Sequence, residues 1–330
     1  MRNLPQITNL LFGIIAQICV TLLAGRMKLR NLIRTLLLGS TLLFVANGAV
    51  PAAPLVVTVQ GPETETDARY DYDHAVIHLA LEKTRAEYGD FIIKETPIGQ
   101  NSQRALAAAA NGSYKNYVIK ASANNELANL VGMVPCPVDL GIVGYRVAFA
   151  SNKTKASLTS VETLEDLKKF NVVQGIGWLD TAILRHHGFD VRTIGDHNSM
   201  FRMVALNRVD LFPRGANELK AEWETHMSIL NLAYDEGVAL YYPLPRFLVT
   251  SKSNTELIER LNKGLIRAYN DRSLIALWQR EYGSSIKFVK LGSRKIFRLT
   301  NPHISELDPA WKEYIFDPFT YDRTEQATTR

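Results

Sequence analysis

A chain of 330 residues with 46% hydrophobic and 22% charged residues holds enough apolar material for two domains with their own cores, which excludes a disordered chain. Its formal charge of +5 belongs to one end: residues 1–54 carry Arg2, Arg26, Lys28, Arg30 and Arg34 and no acid, and setting these five aside leaves 33 basic against 33 acidic residues of the 38 and 33 in the whole chain. The balanced remainder excludes the basic footprint of a nucleic-acid binder.

The leader comes first. From Met27 the chain reads MKLRNLIRTLLLGSTLLFVANGAVPAAP, a basic start, an apolar core over Leu36 to Ala46, then small residues through Ala53. This is the pattern of a secretory signal peptide. It predicts a leader over 1–53 with translation beginning at Met27, and an exported, soluble mature chain. A membrane anchor is the competing reading, but each apolar run falls short of the roughly 20 residues that span a bilayer. Of the two cysteines, Cys19 lies in the leader and Cys136 stands alone between Pro135 and Pro137, so no intramolecular disulfide is available. Cys136 reads as a buried thiol rather than a nucleophile, since no histidine lies near it in sequence.

Leu55 to Gln60 is a β-branched run stopped by Gly61 and Pro62, as in a buried strand. A helix follows over about 74–88, with Val76, Ile77, Ala80, Leu81 and Thr84 on one face. Phe91 to Glu95 predicts a second strand, 101–111 a helix ended by Gly112, and Tyr117 to Lys120 a third strand. This β-α-β-α-β order implies a parallel sheet covered on both faces.

Gly141 to Ser151 reads as a glycine-hinged strand and the following NKTKASLTS as a polar linker. Thr163 and Asp166 stand at capping-box spacing before a helix. Val172 to Glu222 then gives strand, glycine turn, helix, strand, helix and a third strand ending at Phe212, Pro213 and Arg214, an open α/β half-domain. RFLVTS predicts a return strand, and Ser253 and Glu256 a second capping box before the stripe Leu257, Ile258, Leu261, Leu265 and Ile266. A further helix runs from about Ser273 to Tyr282, where Gly283 stops it. The tail holds Trp311, Tyr314, Phe316, Phe319 and Tyr321 and should pack on the body.

Ligands of open α/β sheets settle at the carboxyl ends of strands, where a helix start offers unpaired N–H groups. Gly177 to Thr181 supplies such a start, and Arg214 a planar fork for a carboxylate or phosphate. Arg214 can equally pair with Glu218, one turn along. Trp178 can stack on a ligand or pack beneath the helix. Glu63 and Tyr72, beyond the first strand, and Arg146, Arg104 and Ser122 complete the candidates. His186, His187 and His197 lack companions at metal-ligand spacing, Gly175 and Gly177 begin no full dinucleotide fingerprint, and no nucleophile motif appears. Neither a metal, a cofactor nor an enzymatic activity is therefore expected.

The segments SVETLEDLK (160–168), VVQG (172–175), NRVDL (207–211) and TSKSNTELIERLNKGLIRAYNDRSLIALWQREYG (250–283) resemble bacterial extracellular solute-binding proteins of family 3, and the likeness spans Leu55 to Tyr282. The resemblance implies a two-lobed type II periplasmic-binding-protein-like α/β fold, two open sheets joined by two hinge segments near Gly144 and Pro243 to Arg246. One lobe would comprise 54–148 and 246–330, the other 149–245. It further implies a periplasmic monomer that captures a small-molecule ligand by closure and partners a membrane permease of the ABC type or, alternatively, a signalling receptor. Amino-acid-binding members keep an arginine after the third strand and an acid after the VD strand. This chain has Ser122 to Glu126 (SANNE) and Phe212 to Gly215 there, which speaks against an ordinary α-amino acid and for another small polar, anionic ligand.

Overall fold

The computed structural model describes residues 53–63 and 69–319. The leader up to residue 52, with its expected signal peptide, and Tyr321 lie outside the described residues.

Aliphatic and β-branched side chains make Leu55–Val59 (β1) a central strand, followed by the helices Asp71–Glu82 (α1) and Arg85–Tyr88 (α2). Phe91–Glu95 (β2), the helix Ser102–Asn111 (α3) and Tyr117–Ser122 (β3) come next, and β1 pairs with β2 and β3 in parallel. Val118 faces the α1 side of the sheet, whereas Tyr117 and Ile119 pack with Ala105 and Ala109 of α3. Both faces are therefore covered, as a parallel sheet requires. A short helix, Asn125–Leu130 (α4), and Gly132–Met133 (β4) complete this part.

Residues 134–144 carry the chain to the second sheet, where Tyr145–Ser151 (β5) is central. The helices Asn152–Leu158 (α5) and Leu164–Leu167 (α6) lead into Val172–Gly175 (β6), Leu179–His186 (α7), Val191–Ile194 (β7), His197–Ala205 (α8), Phe212–Gly215 (β8), Leu219–His226 (α9), Leu232–Tyr234 (β9) and Val238–Tyr241 (β10). Strand β5 runs antiparallel to β8, β9 and β10, and β6 pairs with β7 in parallel. Residues 242–245 return to the first sheet, where Arg246–Thr250 (β11) lies antiparallel to β3 and β4. Two long helices, Thr255–Asn270 (α10) and Ser273–Val289 (α11), are followed by Lys295–Arg298 (β12), which joins the second sheet parallel to β10.

The two joining segments run side by side, with Tyr242 N donating to Gly144 O at 3.1 Å. The C-terminal region adds two more passages: α11 into β12, and the stretch after Leu299 back to the first sheet, where Trp311 packs with Tyr117 and Phe247. Sheet membership thus differs from a boundary at 148/149, because β5 begins at Tyr145, and from placing all of 246–330 in the first lobe, because β12 belongs with β10, whereas β11 begins the first sheet's return at Arg246.

Local expectations fail where tertiary packing outweighs local signal. The stretch after Ser151 is a helix and not a linker: Ser151 Oγ accepts from Thr154 N at 3.1 Å, and Thr154 and Leu158, one turn apart, are buried. Helix α11 runs through Gly283, since Ile286 and Val289 extend the buried stripe of Leu274, Trp278 and Tyr282, outweighing a glycine penalty of about 1 kcal/mol. The Thr163–Asp166 capping box forms, whereas α10 is preceded by Asn254 and the Ser253 hydroxyl pairs with Ser251. Helix α11 also bridges the sheets: Trp278 Nε1 donates to Asp139 O at 3.0 Å, and Ser285 Oγ to Ala216 O at 2.6 Å.

Candidate ligand-binding site

A file of buried charges runs between the sheets. On the first side Lys120, from β3, lies 2.5 Å from Asp73 Oδ1 and 3.2 Å from Asp139 Oδ1. Asp139 Oδ2 faces Arg246 Nη1, from β11, at 3.6 Å. Arg246 reaches the second side at Glu218 Oε1, 3.3 Å away, and Glu218 Oε2 lies 3.0 Å from Arg214 Nη2 and 3.8 Å from Arg146 Nη1. Beyond them Arg146 Nη2 meets Asp180 Oδ1 at 2.6 Å, and Arg214 makes a fork to Glu222 with contacts of 2.6 to 3.0 Å. Glu222 also approaches His197 Nε2 at 3.4 Å.

Secondary structure explains this convergence. Strands β3, β5, β8 and β11 end or begin at the junction of the sheets, and register sets Arg246 against Ser122, and Arg146 against Gly215. Burial alone would raise the Glu218 carboxyl, but the guanidiniums of Arg214, Arg246 and Arg146 outweigh it and hold the group well below the ordinary glutamate value of 4.5. Glu222 is held down in the same way by Arg214, against its burial. Burial lowers Lys120, yet Asp139 and Asp73 outweigh that and keep its ammonium above its ordinary value. The Tyr242 hydroxyl, pushed well up by burial and then by Asp180, stays a donor to Asp180.

No protein-family model and no curated protein sequence matches the chain. Among solved structures, an ancestral arginine-binding protein bound to arginine is 17% identical, with a TM-score of 0.51 over 69% of this chain and 98% of its own. An ancestral amino acid-binding protein, a precursor of cyclohexadienyl dehydratase, is 13% identical with a TM-score of 0.51 over 69% and 95%. A histidine kinase sensor domain with similarity to periplasmic binding proteins is 16% identical with a TM-score of 0.51 over 71% and 97%. The chain has the type II periplasmic binding fold. Its two five-stranded sheets lie one in each lobe, the β6–β7 pair belonging with the second, and the file of charges lies where the joining segments bring the lobes together.

In this type II fold the sequence-predicted residues separate into two groups. Arg146 and Arg214 are buried in the file, 2% and 4% exposed. Trp178 sits beside them, its ring 4.8 Å from the Arg214 guanidinium and stacked on Phe212, whose ring lies 5.2 Å from the same guanidinium. Thr181 is buried on the first turn of α7, and its Oγ1 has no hydrogen-bond partner. Gln174 Oε1, on β6, and Asn217 Oδ1, just past β8, are also buried and unpartnered. Tyr72 donates to Val138 O at 2.6 Å and lies beside Lys120, and Ser122 stands opposite Arg246.

Glu63 and Arg104 have other engagements. Glu63 pairs with Arg69 at 3.1 Å and accepts from the Tyr70 hydroxyl. Arg104 is exposed and donates to Gly99 O. Its neighbour Gln103 reaches the second lobe instead: a Cβ on Gly177, whose φ is +80°, would stand 2.6 Å from Gln103 Nε2.

Lys120, Asp139, Arg246 and Glu222 escaped the sequence reading. Their signal is a charged side chain inside an apolar run, as in YVIKAS and RFLVT, which burial tolerates only with a partner. Two cavities border the file, of about 20 Å³ beside Arg146 and about 10 Å³ beside Lys120, each of water size. Among the described residues no group of three or more histidine, cysteine or acidic side chains is placed to hold a metal, and no helix is long and apolar enough to cross a membrane.

Proposed function

We propose that this chain is an exported, periplasmic solute-binding protein, an atypical relative of extracellular family 3, that captures a small polar, anionic ligand between its lobes for an ABC-type importer. The observation that carries the reading is the convergence of three guanidiniums, Arg146, Arg214 and Arg246, from both sheets on one point. Planar forks suit a carboxylate. The unpartnered Gln174 Oε1, Thr181 Oγ1 and Asn217 Oδ1 are buried nearby at the ends of β6, α7 and β8, and buried polar atoms without partners are the groups a polar ligand would satisfy. Uptake requires the lobes to part, with the paired segments at Gly144 and Tyr242 to Arg246 as the hinge.

A sensor that docks on a membrane receptor is the second reading, favoured by the likeness to a histidine kinase sensor domain.

A thermal-shift screen of dicarboxylates, sugar acids, amino acids and peptides on the full chain tests the reading. A ligand at 100 times its dissociation constant adds about 2.7 kcal/mol of stability. The hit should be recovered chemically unchanged. Its conversion to a product would replace binding by catalysis, and the absence of any hit would sink the proposal. Dependence of import on the protein separates transport from signalling.

A further inference from the structure

We infer that Glu218 is a tethered occupant of the anion subsite: its carboxylate stands among Arg146, Arg214 and Arg246 where a ligand carboxylate would sit, and an anionic ligand enters by displacing it. The inference rests on the solute-capture reading above and adds to it the chemical class of the ligand group and the residue that competes with it.

Three carboxylates of the second lobe face the guanidiniums, and they are not equivalent. Asp180 takes Arg146 at 2.6 Å and the Tyr242 hydroxyl at 2.5 Å, with its side chain 7% exposed. Glu222 holds Arg214 through three hydrogen bonds and its side chain is 11% exposed. Glu218 divides two oxygens among three guanidiniums at 3.0, 3.3 and 3.8 Å, and its side chain is 20% exposed. It is thus the most accessible of the three and the one shared among the most guanidiniums.

Its place in the chain suits exchange. Glu218 immediately precedes α9, in a turn closed by Glu218 N to Gly215 O at 2.8 Å, and its carboxylate folds back to accept from Gly215 N at 3.0 Å. Swinging it out breaks its contacts with the three guanidiniums, among them the hydrogen bonds from Arg246 Nη1 and Nη2, and the bond from Gly215 N, while the helix stays intact. Glu218 is also the carboxylate of the three that touches the first lobe, through Arg246. Parting the lobes withdraws Arg246 and loosens Glu218 in the same movement.

Charge bookkeeping selects the incoming group. Lys120, Arg146, Arg214 and Arg246 face five carboxylates, those of Asp73, Asp139, Asp180, Glu218 and Glu222. Exchanging one carboxylate for another leaves that balance unchanged, whereas a dianionic phosphate would add a buried negative charge to a file that already holds one in excess. The subsite therefore takes a monoanionic carboxylate.

The test is chemical rescue in the full chain. Glu218→Ala should melt lower than the parent and regain stability with acetate in a saturable way, by about 2–4 °C, at ionic strength matched with chloride. The parent and Glu218→Gln, in which side chains fill the subsite, should not respond, and adding Arg246→Gln to Glu218→Ala should abolish the response. Inorganic phosphate should rescue less than acetate. Should Glu218→Ala fold only in acetate, the inference stands. An acetate response equal in Glu218→Gln, no response in folded Glu218→Ala, or failure of that variant to fold in either buffer overturns it. Rescue without any hit for the parent in the solute screen would reject solute capture and leave the role of Glu218 in place. A hit without rescue would do the reverse.

Discussion

Arg146 Nη2 lies 2.6 Å from Asp180 Oδ1, and the Tyr242 hydroxyl donates to the same oxygen at 2.5 Å. All three side chains are buried, so the pair is a fixed unit of the second lobe. Removing one partner of a buried ion pair strands the other charge away from water. Asp180→Ala is expected to cost about 3–5 kcal/mol and Tyr242→Phe, which removes one hydrogen bond to a charged group, about 1.5–3 kcal/mol. Urea midpoints of the two variants should fall in that order.

Arg214 offers a second case. Its fork satisfies Glu222 and reaches Glu218, so Arg214→Ala leaves the buried Glu222 and the partly buried Glu218 short of a counter-charge and should cost about 3–5 kcal/mol. Arg214→Lys should recover only part, because one ammonium cannot reproduce two parallel N–H donors. Equal stability of the Lys variant and the parent would contradict the fork.

The acid limb of stability follows from the carboxylates. Glu218 and Glu222 titrate below the ordinary 4.5 in the folded chain. When the folded value is depressed, the unfolded chain binds protons first, so the stabilisation is complete above 4.5 and is lost as pH falls through the folded values. Chemical denaturation from pH 7 down to pH 3 should show a steep loss below about pH 4.5. In Glu218→Gln the slope there should be smaller and the stability at pH 7 lower.

Gly264 lies inside α10, where alanine is normally the better helix former by about 1 kcal/mol. A Cβ at this position would stand 2.0 Å from Ala80 O on α1. Gly264→Ala should therefore destabilise, by about 1–3 kcal/mol as overpacking does. A rise in melting temperature would mean that the two helices are not held this close.

Much of this architecture is legible in the chain. Strands such as LVVTV and FIIKE are uniform β-branched or aliphatic runs, and the unit from Val172 to Glu222 is punctuated by glycines at its turns. Strand β12, KIFR, is not legible, because only its partner β10, far back in sequence, makes it a strand. Gly283 misleads in the same way, since a local stop signal yields to the burial of Ile286 and Val289 further along the helix. In the site, Arg214 and its neighbour at i+4, Glu218, can be paired from sequence, as can their place at the end of β8. Nothing local connects Arg246 to Asp139 and Glu218, whose meeting depends on strands from three regions of the chain.

The passage of β12 into the second sheet also sets the order in which this protein can fold. Strand β3 must wait for β11, and β10 for β12, so neither sheet closes its ladder until the C-terminal quarter of the chain is present. Contacts of such long sequence separation are slow to form, because loop-closure entropy is paid before they are made. A nascent chain therefore carries both ladders incomplete until that last quarter is made.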